Sequence, residues 1–258
     1  MLNYFIFNGQ DSRDFGIFVR NKNSYNAPVR DVDVIHVPGR NGDVLIDNGS
    51  YNNITITYNV LIVAPKMMQT NQNIDAENAI ADIKKWLYSG IGAKKIGTYG
   101  KLIDSYNEGY YRKAAFAGEL EVESSNPNYL YAKISFYCNP YRYRIDGDNV
   151  ITITPSQNHV IYNPERETSF PLIRLYGEYE SSFLLAGRVY SFDFTDLNID
   201  YVDIDSELEI VYKGSVNYSH RYSAGSVMFP RLQAWAGNTF TFQQNISKIE
   251  INPRWRAI

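Results

Sequence analysis

The sequence predicts a mainly β chain of two domains, the first with a single α-helix and the second a β-sandwich or jelly roll. Three observations carry this prediction. Most apolar stretches alternate with a period of two; one stretch, Ile74 to Tyr88, shifts to the helical period; and beyond Pro140 to Gly147 only short alternating runs recur. The 258 residues are long enough for two domains of ordinary size, although a single large β domain would also fit that length. Twenty-two Tyr and 13 Phe against 3 Trp fit the strand content, because rings pack well on a pleated surface.

Taken in order, Met1-Leu2-Asn3-Tyr4-Phe5-Ile6-Phe7 has neither a basic stretch nor a long apolar segment, so it reads as a first strand and not as a signal peptide. Val37 to Asn53 reads as a polar, glycine-spaced loop. Gly39, Gly42 and Gly49 give it backbone freedom, and Asp43, Asp47 and Asn48 can bond their own backbone, so a defined shape is expected with little core beneath it. Ile54, Ile56, Tyr58, Val60 and Ile62 then alternate with polar residues in a strand with one buried face, closed by Pro65. Ala76, Ala79, Ile80, Ile83 and Leu87 fall on one helix face, with Asp75 available as cap, Gly90 just past the end, and Trp86 placed to anchor the helix on a sheet.

Lys94 to Tyr111 has no clear period and reads as a hairpin or a long connection. Leu120 and Val122 alternate with Glu119, Glu121 and Glu123, and Leu130 to Cys138 alternates again, so two strands flank a turn at Ser125-Asn126-Pro127-Asn128. Pro140 is expected to stop strand pairing, which places a boundary there and gives domains 1–141 and 142–258. Further runs at Asn149 to Thr154, Leu172 to Tyr176, Phe183 to Phe194, Glu207 to Tyr212, Thr239 to Phe242 and Ile246 to Asn252 are spaced as in a β-sandwich.

The bulk chemistry excludes several functions. A formal net charge of −3, with scattered basic residues, offers no stripe to neutralise phosphates, so nucleic acid is not an expected partner. No apolar run reaches the ~20 residues of a membrane span, so no membrane insertion is expected, and folding in a bacterial cytoplasm is. The single Cys138 excludes an internal disulfide and reads as a small buried residue. His36, His159 and His220 lack metal-ligand spacing, and Gly92 to Thr98 lacks the lysine that a phosphate loop needs after Gly97. Asp203-Ile204-Asp205-Ser206-Glu207 lacks the glycine and closing ligand of a calcium loop and reads as the exposed start of a strand. No nucleophile, acid–base pair, cofactor or metal motif is found, so an enzyme is not expected. Trp235 and Trp255 are candidates for stacking on a glycan, weighed equally against burial in the core.

Several segments, in order, resemble one family. These are Phe7-Asn8-Gly9 with Asp14-Phe15-Gly16-Ile17, then Pro38-Gly39-Arg40-Asn41-Gly42-Asp43, then Ile83-Lys84-Lys85-Trp86-Leu87. Phe136 to Tyr141 follows, and finally Phe229-Pro230 with Asn252-Pro253-Arg254-Trp255. Together they are similar to the distal tail proteins (Dit) of long-tailed phages with non-contractile tails. The resemblance implies an amino-terminal β-sandwich with one helix that builds a homohexameric ring, followed by a galectin-like β-sandwich on the outside. It implies a virion protein of the tail tip, or baseplate, that joins the tail-tube protein to the tail-tip protein and carries receptor-binding proteins in host adhesion. Pro38, Gly39, Arg40, Asn41, Gly42 and Asp43 are the expected subunit or tube contact, because they are polar, shaped by glycine and unsupported by their own core. The runner-up is a carbohydrate-binding module for host cell-wall glycans, and a third reading is a polysaccharide hydrolase.

Overall fold

A computed structural model describes residues 3–23, 27–63, 72–88, 99–116, 120–126, 129–155, 158–225 and 229–258. The chain is mainly β, with antiparallel sheets in two β-sandwich domains and one α-helix among the described residues. It divides into two compact units, Met1–Arg142 together with Ile258, and Tyr143–Ala257.

In the first unit the strands run, in spatial order, Gln10–Asp11, Phe5–Phe7, Gly100–Asp104, Tyr110–Ala115, Tyr129–Arg144, Ile54–Ile62 and Ile17–Lys22, with Leu120–Asn126 also on Tyr129–Arg144. The alternations of Ile54 to Ile62 and Leu130 to Cys138 pair with one another throughout, Leu130 opposite Ile62 and Cys138 opposite Ile54. Their apolar positions therefore share one face, and Tyr58, Ile62, Ile134, Phe136 and Cys138 are fully buried. The sheet rolls until its ends meet, where Val19 N donates to Asn3 O at 2.8 Å.

The helix Gln72–Tyr88 covers this core. It starts before Ile74, so Asp75 is a helical residue and not the cap that the sequence suggested; Pro65, Gly90 and Gly92 to Thr98 lie outside the described residues. Ile83, Trp86 and Leu87 face inward. Trp86 stacks on Phe15 at 4.3 Å with ring planes 4° apart, and its Nε1 donates to Phe7 O at 3.2 Å, so the indole's polar atom is satisfied inside the apolar site. Of the two readings of Lys94 to Tyr111, a hairpin holds for the described part: Gly100–Asp104 pairs with Tyr110–Ala115.

Pro140 does not stop its strand, which runs from Tyr129 to Arg144. It lies beyond Cys138, the last residue registered with Ile54–Ile62, where a missing N–H costs that ladder nothing. Its carbonyl accepts from Arg112 Nη1 at 2.8 Å.

In the second unit, runs that read as separate strands are joined. Leu172–Leu185 and Gly237–Asn252 are two long neighbours whose mutual register breaks between Tyr176 and Phe183. Leu172 to Tyr176 pairs onward with Tyr201–Asp205, and Glu180 to Leu185 pairs with Arg188–Asp193, so each long strand bends and serves two layers. Gly177 permits the bend. A Cβ there would stand 2.2 Å from Ser181 Oγ and 2.8 Å from Asn245 O. The turn at Ala186-Gly187 has positive φ at both residues, 49° and 79°, which matches the twist of a tight hairpin. His159–Tyr162 and Tyr201–Asp205 are strands that fall in none of the alternating runs read from the sequence.

Candidate functional site: an exposed hairpin arm

The segment read as a polar loop is a β-hairpin. Arg30–Ile35 pairs with Val44–Tyr51 in a two-stranded sheet of its own, Ile35 opposite Val44 and Val32 opposite Asp47. The overlooked signal was the alternation of Val32 and Val34 with Asp31 and Asp33. Asn48, Gly49 and Ser50 form a bulge between the Val32–Asp47 and Arg30–Tyr51 pairs. Gly49 adopts φ 75° in that bulge, and its N–H donates to Asp47 Oδ1 at 2.8 Å. Arg30 grips Asp47 with two hydrogen bonds, 3.0 and 2.5 Å, and donates to Tyr51 OH at 2.7 Å. Those hydrogen bonds hold the Arg30 guanidinium pKa above its ordinary value and the exposed Asp47 carboxyl below its own.

Pro38 to Asp43 forms the tip. Gly39 and Gly42 turn the backbone with φ 81° and 83°, and Arg40 N donates to Val37 O at 3.2 Å. His36 Nδ1 lies 3.1 Å from Asp43 Oδ1. Among the described residues no ion pair engages Arg40, which is exposed with Asn41 and its neighbours.

The arm differs from the expected polar loop in what it exposes. Directly opposed residues of an antiparallel pair share a face. Val34 and Leu45 therefore lie together on one face, 59% and 67% exposed, while Ile35, Val44 and Ile46 lie on the other. Apolar side chains thus stand in solvent on both sides of a two-stranded ribbon, which is marginally stable alone in water. Chemically, the arm offers van der Waals contact, a tip cation and strand edges, which suits protein contact.

The remaining candidate residues are placed apart from the arm. Trp235, with φ 47°, is 58% exposed; its Nε1 donates to Pro164 O at 3.1 Å and Arg166 lies over its ring at 4.9 Å. Trp255 is 6% exposed and packs in the second core, so it presents no ring face to a sugar. The acidic cluster is not the exposed start of a strand. Asp203 and Asp205 are buried, because each is neutralised by a two-toothed arginine: Arg174 on Asp203 at 2.7 and 3.0 Å, Arg254 on Asp205 at 2.7 and 2.9 Å. Burial pushes the Asp205 carboxyl up, but the Arg254 hydrogen bonds and charge outweigh it and hold the pKa below the usual range. Among the described residues no group of three His, Cys, Asp or Glu is placed to hold a metal. Cys138 is fully buried, and burial pushes its thiol up to about 12, so it is inert at neutral pH.

No family model and no curated protein matches this chain. Among solved structures it is similar to the Dit protein (gp 19.1) of SPP1, described as a paradigm of the hub adsorption apparatus in phages that infect Gram-positive bacteria. The match has 13% identity and a TM-score of 0.67, and it covers 100% of each chain. In fold, then, this chain is similar from end to end to a phage Dit protein.

Proposed function

We propose that this chain is a structural hub subunit of a phage tail tip, not an enzyme. In this reading six copies form a ring that joins the tail tube to the tail-tip protein and supports receptor-binding proteins, so the working location is the virion. Residues 1–141 form the ring domain, and residues 142–258 form a second, galectin-like sandwich domain. The observation that carries the proposal is the two-faced apolar arm, on a chain whose whole length shares the Dit fold. An arm with no core of its own gains its order from neighbours. In a closed ring each subunit gives one surface and receives another, so every contact is repeated around the assembly.

Pro38 to Asp43, at the arm's tip, is the polar part of that contact. Reversing Arg40 to Glu leaves the subunit folded, since an exposed charge contributes ~0–1 kcal/mol to its own domain, but sets it against a complementary partner surface. Circular dichroism and sedimentation of folded Arg40→Glu protein test this. Reduced ring or tail-tube assembly is the expected result, and parental assembly would remove the tip from the interface.

A second reading, glycan recognition by the carboxy-terminal domain, rests on the exposed ring of Trp235 beside Arg166. It requires that cell-wall glycan binding by the chain be lost on Trp235→Ala.

A further inference from the structure

A cavity of about 270 Å³ within the first unit is lined by Lys22, Tyr58, Asp104, Arg112 and Arg142, with Tyr106, Tyr110 and Tyr111 among the remaining lining residues. Its charges do not balance. Lys22 Nζ lies 2.5 Å from Asp104 Oδ2, and Tyr58 OH donates to the same oxygen at 2.7 Å, so this lysine and this carboxylate neutralise one another inside the rolled sheet. Two guanidinium charges remain. Arg112 donates through Nη1 to two carbonyls, Pro140 O at 2.8 Å and Asn139 O at 3.5 Å, which engage that nitrogen but do not neutralise the guanidinium's charge. Burial, and then the charge of Arg142, lower the Arg112 pKa. Arg142 lies over the ring of Tyr110 at 5.1 Å, and its Nε is shielded from solvent with no hydrogen-bond acceptor among the described residues. Among the described residues no salt bridge engages either arginine.

Two like charges, each half-buried, are costly to hold side by side, and water can fill a missing hydrogen bond without neutralising them. We propose that this cavity binds a dianionic tetrahedral oxyanion, phosphate or sulfate, between Arg112 and Arg142. The excess charge of two matches a dianion, and forked guanidinium donors suit adjacent oxygens of one ligand. The Lys22–Asp104–Tyr58 cluster serves as the wall of this site, since its carboxylate is already held by two donors.

The test uses the full chain with inorganic phosphate and sulfate as probes, against sodium chloride at equal ionic strength. Either anion should raise the melting midpoint saturably by a few degrees, because a ligand that binds the folded state stabilises it. Sulfate and phosphate also stabilise proteins without binding, so the comparison with variants decides. The saturable part should vanish in Arg142→Gln, weaken in Arg142→Lys and persist in Arg188→Gln, an exposed arginine elsewhere. The ¹⁵N resonance of Arg142 Nε in the parent chain gives a readout that does not depend on a variant folding, and it should shift with the same saturation curve. An unmoved Nε resonance, or an equal midpoint rise in folded Arg142→Gln, would overturn the site.

Discussion

The helix Gln72–Tyr88 and the arm Arg30–Tyr51 belong to the same compact unit and carry similar apolar residues, yet they place them oppositely. The helix puts Ile83, Trp86 and Leu87 against the rolled sheet, where Trp86 meets Phe5, Phe15 and the Phe7 carbonyl. The arm leaves Val34, Ile35, Leu45 and Ile46 in water on both of its faces. An apolar face earns its stability from what covers it. The helix is covered by its own chain; in the proposed assembly the arm is covered by another.

The contrast breaks first at Ile83. Replacing it with Asp sets an unpaired charge in the first core and should cost ~4 kcal/mol or more, enough to unfold that unit. Thermal melting reads this as loss of one transition, whereas an unchanged melt would mean that this helix face is not the buried one.

A smaller effect is expected in the second unit, where stability depends on a charge pair. Arg254→Met leaves the Asp205 carboxylate buried without its arginine and should cost about 3 kcal/mol near neutral pH. The parent's folded Asp205 pKa is depressed, so the pair's contribution is present above the unfolded value of about 4 and is lost as pH falls through the lower folded one. Without Arg254, burial acts against the charge and the folded pKa rises above the unfolded value, so stability instead falls as pH rises through that window. Urea melts from pH 7 to 3 should therefore show the gap between parent and variant narrowing toward acid. A constant gap would show that the arginine contributes packing and not charge.

The smallest effect on the single chain should come from the arm itself. Val34→Ser with Leu45→Ser removes side chains that are already solvated and should change unfolding free energy by no more than about 0.5 kcal/mol, while assembly through the arm is lost. A large drop in subunit stability would show that the arm is part of its own domain's core after all.

How much was legible in the sequence follows the same division. Strands with one buried face, such as Ile54–Ile62 and Tyr129–Arg144, announce themselves by strict alternation, and Ile83 and Leu87 mark the helix because one face is apolar. The arm was misread as a loop because Gly39, Gly42 and Gly49 dominate its composition, while the pairing of Val44–Tyr51 with Arg30–Ile35 depends on a bulge that breaks simple register. The bends in Leu172–Leu185 and Gly237–Asn252 were read as strand ends, since Gly177 and Asn245 interrupt the pattern without ending the strands. Pro140 misled in the same way: proline forbids a donor, not a strand. Burial of Asp203 and Asp205 was invisible locally, because Arg174 and Arg254 come from distant segments.

The most direct test of the hub reading is the solution mass of the full chain by light scattering across a concentration series, beside the Val34→Ser, Leu45→Ser variant. The account predicts a parent species about six times the 29.6 kDa chain, with the folded variant reduced to single chains. A parent that stays at one chain's mass at every concentration, or a variant that assembles as the parent does, would contradict it.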